Sequence, residues 1–321
     1  MDLSIIIVNW RSKSYLDACL KSIFANLAGL RFEVIVIDNA SYDGAGELLA
    51  EHFPAVIFIQ SAKNLGFAGA NNAAFARSQG RNILFLNPDT EIEGRALAAM
   101  MKALDTQPGA GIVGARLLNS DGSLQTSCVQ SFPTIWNQAL DSEFLRRLFP
   151  ASSLWGTQAL CQPREGPIEV EVISGACLMI KRAAFEKVGQ FSTDYFMYSE
   201  DVDLCYKVQR AGWKNFYAGQ ARVIHHGGRS SSASTQSSFA VVMTRESLLR
   251  YMRLRRGRMH AALYRLTTGV AALGRLAMLG VGFGLTLGKV RRGAFSSAMA
   301  KWKSVLRWTL GLDGWVKTAG N

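Results

Sequence analysis

The chain has 321 residues, of which 49% are hydrophobic and 19% charged. That excludes a disordered or collagen-like protein and leaves room for one large domain or two smaller ones. Five scattered cysteines without C-x-x-C spacing (Cys19, Cys128, Cys161, Cys177, Cys205) exclude a disulfide scaffold and a thiolate zinc site, and point to a reducing compartment. The net charge of +12 is concentrated at one end: residues 1–240 carry 21 Lys+Arg against 22 Asp+Glu, whereas 241–321 carry 15 basic residues and only Glu246 and Asp313. The opening MDLSIIIVNW lacks a basic n-region, so no signal peptide is expected.

The first 120 residues alternate strand and helix. Leu3–Val8 is a continuous apolar strand. Ser12 or Ser14 is placed to cap a helix carrying Leu16, Leu20, Ile23, Phe24 and Leu27. A β-branched run, Glu33–Ile37, ends at Asp38. A helix around Gly46–Phe53, a strand Ala55–Gln60, a helix from Phe67 to Gln79 and a strand Arg81–Leu86 follow. Such a pattern predicts an α/β fold with a mostly parallel sheet covered on both faces, in which ligands bind beyond the carboxyl ends of the strands. All four strand ends carry polar sets: Asn9-Trp10-Arg11, Asp38-Asn39-Ala40-Ser41, the run from Lys63 to Asn72, and Asn87-Pro88-Asp89-Thr90.

Between about 110 and 235 the pattern is more antiparallel. Gly111–Leu118 reads as a strand, Asn119-Ser120-Asp121-Gly122 as a turn, and 133–167, with four of the seven prolines, as a looped excursion. Val170–Lys181 is a strand broken at Ser174-Gly175. A helix opens at Ser199-Glu200-Asp201-Val202-Asp203, where Asp203 is expected to be a solvated first-turn acid. Two short strands, Trp213–Ala218 and Ala221–Ile224, lead to His225-His226, and the Ser-rich stretch 230–238 reads as a mobile loop. Cys177 and Cys205 read as small core residues, and Trp10 as packing at the site rim.

The tail differs. Thr244–Leu263 reads as one helix, 266–288 holds Arg275 as its single charge, and Phe295–Leu312 mixes Trp302, Val305, Leu306 and Trp308 with Lys301, Lys303 and Arg307. Apolar and aromatic faces beside basic ones suit helices lying in an anionic membrane interface. A spanning helix would carry Arg275 near its centre, and a buried core helix would carry six glycines. Nucleic acid is not expected as a partner, because the tail has no recognised binding motif.

Several chemistries are excluded. The chain has no G-x-G-x-x-G after the first strand, no P-loop and no G-x-S-x-G elbow. A diphosphate-type ligand held by Mg²⁺ or Mn²⁺ remains. Asp89 supplies a hard oxygen, His225 or His226 a nitrogen, Asp38 a partner for a ribose or base, and Glu200-Asp201 a carboxylate for general-base work.

Six segments, taken in order, resemble family 2 glycosyltransferases of the GT-A fold, and within them the bacterial rhamnosyltransferase-like branch. They are Ile5–Trp10, Val36–Gly44, Asn64–Asn72, Leu86–Thr90, Gly175–Ile180 and Phe196–Cys205, and the match spans about residues 3–230. The resemblance implies an inverting transfer from a nucleotide sugar, with dTDP-rhamnose the foremost donor and UDP-sugars also open. Asp201 would be the base, with Glu200 beside it. Asp89 would be the metal-binding end of a D-x-D motif, with His225 near the metal. Asn9, Asp38, Asn39, Lys63, Asn64, Gly66, Asn87, Ser174 and Gly175 would form the donor-binding set. Asn87 departs from the broader family by replacing the first acid of D-x-D. The expected acceptor is a polyprenyl-linked or surface glycan, which places the protein at the cytoplasmic face of the inner membrane. The domains read as a glycosyltransferase domain over 1–240, with nucleotide binding over about 1–118 and acceptor binding over about 119–240, and a membrane-associating region over 241–321. A competing reading is a non-catalytic scaffold subunit with the same fold, motivated by Asn87.

Overall fold

Leu3–Asn9 forms strand β1, and Ile5, Ile6 and Ile7 are wholly buried, so both faces of the strand are covered. Burying each of these side chains contributes about 1.5–3 kcal/mol, which is why an unbroken apolar run rather than an alternating one marks a central parallel strand. The computed structural model describes residues 1–26, 29–140, 145, 148–149, 152, 154–161, 166–227, 238–285 and 292–317. The chain divides into two units, one of Met1–Phe132, Phe149–Thr193 and Glu200–Ser230, the other of Pro133–Leu148, Asp194–Ser199 and Ser231–Asn321.

In the first unit β1 is followed by α1 (Lys13–Asn26), β2 (Phe32–Asp38), α2 (Ala45–His52), β3 (Ile57–Gln60), α3 (Gly66–Phe75), β4 (Asn82–Leu86), β5 (Thr90–Ile92), α4 (Ala96–Thr106), β6 (Ala110–Leu118) and β7 (Val129–Gln130). After α5 (Ile135–Ala139), which belongs to the second unit, come α6 (Gln158–Cys161), β8 (Ile168–Val170), β9 (Val172–Ile173), β10 (Cys177–Lys181), α7 (Arg182–Lys187), α8 (Glu200–Arg210) and β11 (Lys214–His225). Among the described residues the main sheet runs β3-β2-β1-β4-β10-β6-β11-β5, with β8 also on β11. The β1, β2, β3 and β4 pairings are parallel, whereas β10 enters antiparallel between β4 and β6. Under the sheet, Phe75, Phe85, Phe185 and Phe191 meet edge-on or tilted, with centroids 4.7–5.4 Å apart.

Three local expectations change. The three-residue strand β5 was not legible, because Thr90–Ile92 is too short to show a period; it pairs antiparallel with the end of β11. The two strands expected over 213–224 are one, β11, whose register against β6 shifts between Ala218 and Arg222. At the start of α1 the side-chain cap is neither Ser12 nor Ser14. The Lys13 N–H donates to Asp43 Oδ2 at 3.0 Å, while the Ser12 hydroxyl donates to the Trp10 carbonyl at 3.1 Å.

In the second unit α9 (Ser238–Tyr251) continues into a π-helical turn (Met252–Arg256), followed by α10 (Arg258–Leu285) and α11 (Arg292–Thr309). The single helix expected over Thr244–Leu263 breaks at Gly257, whose φ of 95° is a conformation that favours glycine. One face of α10 (Ala261, Tyr264, Thr268, Ala272) is buried, and Ala272 joins Val241 and Val305 in a core flanked by Trp302 and Leu306. Arg265 caps α11 by donating to the Thr309 and Trp308 carbonyls at 3.0 and 3.1 Å. Among the described residues no helix is long and apolar enough to cross a membrane. The end of the 266–288 run and most of the Ser-rich stretch 230–238 lie outside the described residues.

Candidate active site

Strand register assembles the site. Asn9 lies opposite Asp38, and Asp38 opposite Gln60, so three polar side chains stand in a row at the carboxyl ends of β1, β2 and β3. Asp38 is buried, and its carboxylate takes donors from every side. Asn9 Nδ2 (2.9 Å) and the Ser41 hydroxyl reach Oδ1; Ser41 N–H (3.0 Å), Tyr42 N–H (2.9 Å) and Gln60 Nε2 (2.8 Å) reach Oδ2. Burial pushes its pKa up, but the bonds from Ser41, Gln60, Tyr42 and Asn9 outweigh burial and hold it below the usual carboxylate range. Asp38 therefore shapes the β2–α2 loop from within.

Asn9 is fully buried, and the same amide group lies 3.0 Å from Asp43 Oδ1, tying both acids to β1. Asn39 spans to the next loop: its Nδ2 donates to Asn64 Oδ1 at 3.0 Å and to the Gly66 carbonyl at 3.2 Å, while its Oδ1 accepts from Leu65 N–H at 2.8 Å. Asn64 also accepts from Gly66 N–H at 2.9 Å, and Gly66 has φ 68°. The Lys63 side chain is exposed on this loop, and its carbonyl accepts from the Ser61 hydroxyl at 2.6 Å.

The metal candidates come together from β4, β5 and β11. His225 pairs with Thr90 across the sheet, which sets its ring beside the residues before Thr90. His225 Nε2 lies 3.4 Å from Asp89 Oδ1 and 3.3 Å from Asn87 Nδ2. His226 points elsewhere, to Glu91 at 2.7 Å and Ser120 at 2.8 Å, and stacks on Tyr15. Of the two histidines, the one beside Asp89 is therefore His225, the residue that the resemblance implies near the metal. Among the described residues no group of three His, Cys, Asp or Glu side chains converges. Asp89 and His225, with Asn87 as a neutral neighbour, are a donor set that fits a divalent cation completing its shell with phosphate oxygens.

The carboxylate pair stands at the start of α8. Asp201 Oδ2 accepts from Gly175 N–H and Oδ1 from Val202 N–H, both at 2.8 Å. Ser174 holds this loop through its hydroxyl, which accepts from Ala176 N–H at 3.3 Å, and the Ala176 carbonyl accepts from Asn87 N–H at 2.9 Å. The base candidate and the metal candidates are thereby tied by one short backbone path. Burial pushes the Asp201 pKa up despite those two bonds. Glu200 is more deeply buried, and its Oε2 has no hydrogen-bond partner. Desolvation, reinforced by the Asp201 charge, pushes Glu200 up to about 8, so at neutral pH it is largely a protonated acid beside a carboxylate. Asp203, expected to be solvated, is fully buried and accepts from the Ser192 hydroxyl at 2.6 Å. Cys177 and Cys205 are buried as expected, and burial pushes the Cys177 thiol up to about 12.

Backbone strain gathers around the same loops. Among the described residues, six non-glycine residues have positive φ: Arg11, Ala40 and Tyr42 after β1 and β2, Tyr198 and Ser199 immediately before Glu200, and Gln190. Such conformations cost about 1–3 kcal/mol each and cluster at functional sites. Three residues that sequence reasoning missed complete the site: Asp43, Gln60 and Gln125. Asp43 stood within a recognised motif; Gln60 and Gln125 acquire their roles only through partners distant in sequence.

The sheet order sets an acidic helix start and a neutral-plus-acidic pair at the carboxyl ends of the strands, where α/β sheets bind ligands. A model described as Glycosyl transferase family 2 matches residues 4–189, and the chain belongs to that family. Its fold is GT-A, with additional C-terminal helices. The chain is 30% identical over 253 residues (74% of this chain, 80% of the relative) to N-acetylglucosaminyl-diphospho-decaprenol L-rhamnosyltransferase of Mycobacterium tuberculosis H37Rv. It is 26% identical over 232 residues (69% and 82%) to rhamnosyltransferase WbbL of Escherichia coli K12. Among solved structures it superposes on the Pyrobaculum calidifontis mannosyltransferase PcManGT in complex with GDP-Man and Mn²⁺, with a TM-score of 0.60 at 17% identity over 98% of this chain and 86% of that one.

Proposed function

We propose that the protein transfers a deoxyhexose, L-rhamnose from dTDP-rhamnose, with inversion onto a polyprenyl-diphosphate-linked glycan at the cytoplasmic face of a membrane. The observation that carries the reading is the carboxylate of Asp201, oriented by two backbone N–H groups at 2.8 Å and destabilised by burial. A base held this way is poised to accept a proton. The likeness to the mycobacterial and E. coli rhamnosyltransferases supports the sugar, and the mycobacterial relative's name supports the lipid-linked acceptor class.

In the reaction, Asp201 accepts the proton of an acceptor hydroxyl as its oxygen forms a bond to the anomeric carbon. The bond from that carbon to the diphosphate oxygen breaks, and the nucleoside diphosphate leaves with the electron pair. Asp89 and His225 would hold a Mg²⁺ or Mn²⁺ ion, which supplies charge neutralisation for the diphosphate. Glu200, protonated, leaves Asp201 as the one charged member of the adjacent pair. The strained loops after β1 and β2 fix the nucleotide end.

For the tail, membrane association is supported by the exposed apolar side chains of α10, namely Met259, Leu263, Leu266, Val270, Leu273 and Val281. They follow spacings of three, four or eight residues along the face opposite the buried one, in a region with a large basic excess.

The test is dTDP release and product mass from purified full-length protein given dTDP-rhamnose and a polyprenyl-diphosphate-GlcNAc acceptor, compared with the other nucleotide sugars. Turnover with dTDP-rhamnose, lost in Asp201→Asn with dTDP binding retained, supports the reading. Binding without turnover for any donor would favour the scaffold reading.

A further inference from the structure

We infer that Gln125 is a positioning residue that locks the His225 ring in the Nδ1–H tautomer, so that the Nε2 lone pair is directed at Asp89 and Asn87. The inference deepens the metal reading above and rests on it for its consequence, though not for the tautomer itself.

The geometry fixes the proton without reference to hydrogens. Gln125 meets His225 twice: one end of its amide lies 2.6 Å from the His225 carbonyl oxygen, the other 2.9 Å from ring Nδ1. A carbonyl oxygen only accepts, so the end against it must be the NH₂ group. The other end is then the amide oxygen, which also only accepts. The atom facing it, Nδ1, must therefore carry the proton, and in the neutral ring Nε2 is left as a lone pair. That lone pair lies 3.3 Å from the Asn87 amide nitrogen and 3.4 Å from Asp89 Oδ1. Two acceptors, Nε2 and Asp89 Oδ1, thus face each other, an arrangement that a cation between them would reconcile.

The fold delivers Gln125 to this place by a short return of the chain. β6 ends at Leu118, opposite Ile224 of β11. The chain turns at Asn119–Gly122 and returns, with Leu124 bridging Leu118 and Gln125 N–H donating to the Leu117 carbonyl at 2.9 Å. Gln125 thereby lies alongside His225. Gly227 lies against this amide: a Cβ there would sit 3.3 Å from Gln125 Nε2 and 3.6 Å from the His225 carbonyl oxygen. An imidazole ligand whose far nitrogen donates to a fixed acceptor has its tautomer and ring plane set in advance, and losing such a partner weakens metal affinity about 10–100-fold.

The experiment is ¹⁵N NMR of the histidine side chains in metal-free, full-length protein, at a pH where the ring is neutral, with the His225 signals assigned by their loss in His225→Ala. Wild type is expected to show Nδ1 protonated and Nε2 bare. Gln125→Leu, which removes the acceptor, is expected to populate the Nε2–H form. Gln125→Glu loses the donor to the His225 carbonyl but keeps an acceptor for Nδ1–H, and is expected to keep the Nδ1–H form. Mn²⁺ titration in the presence of dTDP, read by electron paramagnetic resonance, is expected to weaken about 10–100-fold in Gln125→Leu. Nε2–H in the wild type overturns the inference regardless of how either variant folds, as does a Leu variant with unchanged tautomer. The wild-type signature with no Mn²⁺ binding upholds the clamp and instead removes the metal reading of the site.

Discussion

Gly175 and Asp201 are held against each other. The Gly175 N–H donates to Asp201 Oδ2 at 2.8 Å, and a Cβ on residue 175 would lie 3.3 Å from Asp201 Cβ and 3.5 Å from Oδ2. The glycine supplies an orienting donor and leaves space for the carboxylate at once. Gly175→Ala retains the N–H but crowds the acid, and is expected to lower kcat between about tenfold and a hundredfold with the donor KM little changed, as befits a displaced catalytic group. Asp201→Asn, which removes the base and can keep only one of its two acceptor contacts, is expected to lower kcat by about 10²–10⁴. Steady-state kinetics on both variants, with dTDP affinity by calorimetry, check this; an Ala variant with wild-type kcat would show that the contact does not position the base.

The acid pair predicts opposite pH effects on activity and stability. Asp201 must be ionised to act, and burial raises its pKa. Activity is therefore expected to fall on acidification from a pH above the ordinary aspartate range. Glu200 is raised from 4.5 to about 8 in the folded state, so the folded protein binds its proton more tightly than the unfolded chain. This contribution to stability is fully present below about pH 4.5 and is lost as pH rises toward 8. Glu200→Gln removes the loss. It is expected to raise Tm at pH 8–9, by an amount corresponding to a few kcal/mol, and to change it little near pH 5. Thermal melts across that range decide it, and equal effects at both ends would contradict the burial argument.

The sheet and the strand-end site were legible because they rest on local signals. Unbroken apolar runs gave β1, β2 and β4, and each polar set after them sits where the register needs it. What was not legible depends on pairing across long sequence separations. Asp38 reads as a ligand partner, and its carboxylate also accepts from Asn9 and Gln60 on neighbouring strands and from its own loop. Asp203 reads as solvated because a helix start is usually wet; here it is buried and the half-buried Ser192 hydroxyl donates to it. His225 rather than His226 came from the family resemblance alone; the geometric reason is the β5–β11 pairing, and β5 itself was too short to read.

Asp89 is the single carboxylate within reach of His225 Nε2 among the described residues, at 3.4 Å, and Asn87 adds no charge. With so few protein donors, the ion would rely on the donor's diphosphate to complete its shell. Binding is accordingly expected to be mutual: Mn²⁺ tightens dTDP and dTDP tightens Mn²⁺ by the same factor. Chelation by EDTA, or Asp89→Ala, is expected to lower kcat/KM at least about a hundredfold, and Mn²⁺ is expected to rescue the first but not the second. Asn87→Asp, which restores a second acid, is expected to tighten metal binding without nucleotide. Calorimetry in both orders of addition checks the coupling, and dTDP affinity indifferent to the metal would argue for a metal-independent site.

The outer face of α10 gives the last prediction. Its buried face already packs through Tyr264 and Ala272, while Leu266 and Val270 are 64% and 63% exposed. Side chains this apolar in water, in a region of high positive charge, favour a surface that offers hydrocarbon and negative charge together. Each buried aliphatic side chain contributes about 1.5–3 kcal/mol and each basic residue near anionic lipid about 1 kcal/mol. The double variant Leu266→Glu/Val270→Glu is therefore expected to weaken binding to phosphatidylglycerol-containing vesicles more than about tenfold, while leaving thermal stability and soluble-acceptor turnover near wild type, because neither residue supports the core. Wild-type binding is expected to fall with added salt and to be weak on purely zwitterionic vesicles, where only the apolar component remains. Vesicle flotation of the full chain across salt and lipid composition measures both components. Undiminished flotation of the double variant would place the contact surface elsewhere on the chain.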